Sequence, residues 1–104
     1  MPNISLRYLY RDYANYKNHG EEVFSNAHHL SLEEIEKTIK EHLLDDTWFY
    51  ASRCGLPDLH FDKYDDELDH AFHEFGRVAL TDAPVTQAMD IKEFLAVVGR
   101  AGGW

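Results

Sequence analysis

Between Leu30 and Leu43 the chain spells a capped amphipathic helix, and an apolar stripe of that kind demands a second layer to cover it. Ser31 and Glu34 stand at the capping-box spacing, at which a hydroxyl and a carboxylate each satisfy a backbone N–H left over by the first turn. Leu30 and Ile35 occupy the two staple positions around that cap. Leu32, Ile35, Ile39 and Leu43 recur at helical spacing, with Glu33, Glu36, Lys37 and Lys40 on the other side. The pattern predicts a helix over 32–44, whose acidic first turn suits the helix dipole.

The covering layer is legible as strands. Ile4, Leu6, Tyr8 and Tyr10 alternate with Ser5, Arg7, Leu9 and Arg11, the period-two pattern of a sheet with one buried face. Residues 12–20, rich in Asn, Asp and Gly, read as a connecting turn or loop, with a short strand around 22–25 pairing back as a hairpin. Trp48-Phe-Tyr-Ala-Ser reads as an aromatic strand, Arg53-Cys-Gly-Leu-Pro as a turn, and 58–62 as a further short strand. An acidic loop over 64–69 then leads to a strand at 73–80. Asp90 and Glu93 repeat the capping spacing, with Met89 and Phe94 as staple, and predict a closing helix at about 91–99, stopped by Gly99 and Gly102-Gly103. The expected fold is α+β: a small antiparallel sheet with two helices on one face, ordered roughly ββαββ(β)α.

Length and composition set the frame. A chain of 104 residues, 44% of them apolar, makes one compact domain that needs no disulfide, with 100–104 expected as a flexible C-terminal tail. A single cysteine, Cys54, excludes an internal disulfide framework and any zinc site built on several thiolates. No basic start followed by a long apolar run is present, and no stretch reaches the roughly 20 apolar residues of a membrane span, so a cytoplasmic location is expected.

The net charge of −9 falls entirely on the middle of the chain: −4 over 31–46 and −5 over 47–75, with both flanks neutral. Nucleic acid is therefore not the expected partner, because phosphate binding needs a basic surface. A basic protein, a cation or simple solubility fits instead.

The segment Asp69-His70-Ala71-Phe72-His73-Glu74, preceded by Asp58, His60, Asp62, Asp65 and Asp66, gathers imidazoles and carboxylates, the ligand types of zinc, iron, nickel and manganese. His70 and His73 would share one face on a helix and oppose each other on a strand. Asp58, His60 and Asp62 would share a face if extended. The candidate metal ligands are thus His70, His73, Asp69, His60 and Asp62, against the plainer reading of a solvated acidic loop with incidental histidines. No cofactor other than such a divalent metal is implied.

Arg7 and Arg11, interleaved with Tyr13, Tyr16, Lys17 and His19, form a second group; their plainer reading is ion pairing with carboxylates on neighbouring strands, such as Asp58, Asp62 or Glu74. Cys54 lies in no recognisable Cys/His signature and reads as a packed cysteine. There is no Gly-rich phosphate loop, GxSxG elbow or HExxH pair. Trp104, beyond Gly102-Gly103, suggests an aromatic docking onto its own domain or onto a partner.

Tyr10-Arg11-Asp12 with Asn15-Tyr16-Lys17 and Gly20, together with Asp69-His70 and His73-Glu74-Phe75, resembles a group of short bacterial proteins that share this frame over roughly residues 5–75. The resemblance implies a bacterial origin and carries over no functional residues. With no catalytic signature, the expected function is a non-enzymatic protein-interaction module, engaging a protein partner or a second copy through a sheet edge or the acidic face. The alternatives are a small divalent-metal-binding protein or metal-dependent hydrolase using residues of 58–74, and, more remotely, an acidic mimic of nucleic acid.

Overall fold

A computed structural model describes residues 2–12, 14–59 and 72–101. The elements run β1 (Asn3–Arg11), β2 (Lys17–Phe24), α1 (Leu32–Glu41), β3 (Trp48–Phe49), a 3-10 turn (Ala51–Cys54), β4 (His73–Thr81) and α2 (Ile91–Ala101). The four strands form one antiparallel sheet in the order β2-β1-β4-β3, so the expected α+β class stands.

β1 lies at the centre and obeys its alternation. Ile4, Leu6, Tyr8 and Tyr10 are buried; the first three join Ile35 and Ile39 of α1 and Ile91, Phe94 and Val98 of α2 in one core. Both helices therefore cover the same face. The opposite face carries Arg7, Arg11 and their cross-strand neighbours.

A bulge keeps β4 in phase with this core. Arg7 faces Arg77 and Tyr8 faces Phe75, which leaves Gly76 as the extra residue. The extra residue switches parity, so odd-numbered His73 and Phe75 share the helix side with even-numbered Val78 and Leu80.

Several boundaries differ from the sequence expectation. The hairpin turn is confined to 12–16, where Asp12 Oδ1 accepts from Tyr16 N at 2.9 Å and Asn15 takes a left-handed φ of 70°. Lys17–Gly20 belongs to β2 despite its polar sequence. Gly20 is needed there, since a Cβ would lie 2.9 Å from Leu59 Cδ1 and 3.1 Å from the Tyr8 ring. α1 begins as expected, with Ser31 Oγ accepting from Glu34 N at 3.1 Å, but it stops at Glu41. Its last turn tightens through bonds from His42 N to Ile39 O and from Leu43 N to Lys40 O. Leu44 then bridges Trp48 around Asp45 and Asp46, both left-handed at φ 51° and 60°.

The aromatic strand shrinks to Trp48–Phe49, because Ala51–Cys54 winds into the 3-10 turn, capped by left-handed Gly55. The strand expected at 58–62 and the loop at 64–69 fall largely or wholly outside the described residues. α2 runs through Gly99 to Ala101, so residues 100 and 101 are helix rather than tail. Residues 102–104, with Trp104, lie outside the described set.

The segment after β4 was read only as a break. It crosses to the outer margin of β2, where Thr86 N and Gln87 N both donate to Val23 O, and Ser25 bridges Asp90 in parallel. Val23 is buried even though it lies on the face away from the helices.

Candidate functional site

Of the five metal-ligand candidates only His73 lies within the described residues; His60, Asp62, Asp69 and His70 lie outside them. His73 opens β4 on its inward face and is 1% exposed, with its ring within 6.0 Å, centroid to centroid, of Tyr8, Tyr10 and Phe49. Its Nε2 accepts from Leu59 N at 3.0 Å, so that nitrogen presents a lone pair to the backbone. Asp58 Oδ1 stands 3.6 Å from the same atom. A cation at Nε2 would have to displace the Leu59 hydrogen bond. Among the described residues, no group of three or more His, Cys, Asp and Glu side chains is arranged to hold a metal.

Tyr8 anchors the neighbouring strand end: its hydroxyl donates to Pro57 O at 2.7 Å, and burial pushes the phenol pKa well above its ordinary value. Cys54 is fully buried, and burial pushes its thiol up to about 11, the opposite of what a nucleophile needs. It lines a cavity of about 10 Å³ with Leu6, Phe49, Phe75 and Phe94, an apolar space of one water at most.

The face away from the helices resolves the arginine group. Arg7 Nε reaches Glu21 Oε2 at 2.9 Å across β1–β2, and Arg11 Nε reaches Glu74 Oε2 at 2.9 Å across β1–β4. Cross-strand pairing with Glu74 was anticipated for the arginines; Glu21 was not. The Ser5 hydroxyl and the Arg7 guanidinium hold the Glu21 carboxyl below its ordinary range. Arg77 stands opposite Arg7, so this face carries a like-charge neighbour pair served by one carboxylate.

Two surface features escaped sequence reasoning. Beyond Phe75, β4 has a strand only on its β1 side among the described residues, and its outer margin ends in the uncharged run Val78-Ala79-Leu80-Thr81, with Leu80 55% exposed. The free part of β2, Lys17–Glu21, is by contrast guarded by Lys17, His19 and Glu21. The bulge at Gly76 hid the β4 margin, because it puts Leu80 in phase with the core pattern beyond the helices' cover.

The second feature is a cleft between the end of α1 and β3, lined by Leu44, Asp45, Trp48 and Phe72, with a volume of about 240 Å³. Phe72 is stacked on Tyr50 at 4.5 Å and 18°, and Arg53 lies 4.7 Å over the Tyr50 ring. The Trp48-Phe-Tyr run signalled aromatic density, but nothing local placed Phe72 beside it.

No helix among the described residues is long and apolar enough to cross a membrane. Comparison with protein-family models, with curated proteins and with solved structures finds no match to this chain.

Proposed function

We propose that the protein is a non-enzymatic interaction module that accepts a partner strand along the outer margin of β4. The observation that carries this reading is the margin itself: past Phe75 it meets no strand among the described residues, and it is uncharged from Val78 to Thr81. An added strand would gain main-chain hydrogen bonds there, and Leu80 would supply apolar contact. Arg77, at the near end, is the kind of charge that limits uncontrolled edge pairing.

Leu80→Lys tests it, since the side chain is already half-exposed and the fold should survive. The reading is supported by a partner protein, or a self-associated state in sedimentation, that is present for the wild type and lost in the variant. A protein that stays monomeric and binds nothing, or whose binding ignores the variant, sinks it.

One contact, Asp58 Oδ1 at 3.6 Å from His73 Nε2, supports a second reading, a divalent-metal site drawing on 58–74. Melting the protein in EDTA and then with zinc, manganese, nickel or iron(II) tests this. A rise with one metal at micromolar concentration supports it, and no rise with any of them removes it.

A further inference from the structure

We infer that the cleft between the end of α1 and β3 binds the ammonium end of a lysine side chain presented by a partner protein. Its walls are apolar and aromatic, Leu44, Trp48 and Phe72, and Asp45 supplies a carboxylate on the same lining. A cation carried on an alkyl stem matches both: methylenes against Leu44 and the rings, charge toward an aromatic face and the carboxylate. Trp is the strongest cation–π partner among the side chains.

The surrounding charge has the right sign. α1 points its C-terminal, negative end toward this side of the molecule, and Asp46 follows Asp45 in an exposed turn. The stretch 31–46 alone carries −4. The walls are also set in advance of binding: Phe72 is stacked on Tyr50, and Trp48 is fixed by its reciprocal backbone bonds with Leu44 at 2.9 and 3.0 Å. The same aromatic group already holds one cation, Arg53 over Tyr50. The volume of about 240 Å³ suits one long side chain and excludes a folded element.

This site goes beyond the strand-edge reading and stands without it. The test is a titration, followed by the indole N–H signal of Trp48 in nitrogen-15 correlation spectra. The probes are blocked lysine (N-acetyl-lysine methylamide), its trimethylated form, the blocked arginine analogue and the neutral norleucine analogue. Saturable shifts at Trp48 with blocked lysine, at least several-fold weaker with norleucine, are expected. Asp45→Asn should weaken lysine binding several-fold while keeping the turn, because Asn tolerates the left-handed φ of 51°. Leu80→Lys should leave the lysine shifts unchanged, which separates this site from the β4 margin. Equal response to lysine and norleucine, indifference to Asp45→Asn, or no saturable shift into the millimolar range would each overturn the inference. A response to arginine but not to lysine would overturn the assignment of an ammonium.

Discussion

Gly76 sits so close to Arg7 that a Cβ at position 76 would lie 2.7 Å from the Arg7 carbonyl oxygen. The obstacle is backbone at the centre of the sheet, which cannot swing aside as a side chain would. Gly76→Ala should therefore cost about 1–3 kcal/mol through overpacking, read as a lower urea midpoint with an unchanged slope. An unaltered midpoint would mean the bulge can shift to another residue.

Asp90 ties the crossing segment to the hairpin and caps α2. Oδ1 accepts from Ser25 Oγ and Ala27 N, and Oδ2 from Lys92 N, at 2.8, 2.8 and 3.0 Å. Burial acts to raise its pKa, but these hydrogen bonds outweigh it and hold the carboxyl below its ordinary value. Because the folded value is depressed, its contribution is complete above the unfolded pKa of about 4 and is lost as pH falls through the folded value. Asp90→Ala should cost about 1–2 kcal/mol at neutral pH. It should also flatten the decline in melting temperature on the acid side; an equally steep decline would assign acid sensitivity to other carboxylates.

Cys54 should be silent toward thiol reagents in the native state. Full burial and a thiol held near 11 leave little thiolate and no access. Labelling by a chromogenic disulfide reagent at pH 8 should run roughly a hundredfold slower or more in buffer than in urea. Comparable rates would mean that the segment around the 3-10 turn opens locally.

His73→Ala should destabilise the fold by about 2–4 kcal/mol, since it empties a site among Tyr8, Tyr10 and Phe49 and strips Leu59 N of its acceptor. Thermal unfolding measures this directly. A loss below about 1 kcal/mol would show that the ring's place in the core matters little.

The parts of this fold that sequence exposes are those decided by neighbours in the chain. Ser31 and Glu34 fix where α1 begins, and the alternation of Ile4 to Arg11 fixes the buried face of β1. The end of α1 was obscured because Leu43 keeps the helical spacing and is buried, although it lies past the last helical residue. What stops the helix is the pairing of Leu44 with Trp48, an event of tertiary structure.

His73 shows the same limit at the candidate site. Its residue type suggested a ligand, while its spacing from Phe75 on an extended segment was the available sign of a core position. The parity switch at Gly76 and the crossing to Val23 depend on strands that only meet after collapse, so no local pattern announces them.

The central place of β1 has a consequence for the growing chain. Its hairpin partner follows after a five-residue turn, but the strand for its other margin begins only at His73. During synthesis the β1–β2 ribbon can zip early, while Ile4, Leu6 and Tyr8 wait for most of the protein to emerge before both helices and β4 can cover them. Until then Arg7, Arg11, Lys17 and Glu21, arrayed on the ribbon's other side, keep a half-built sheet in solution.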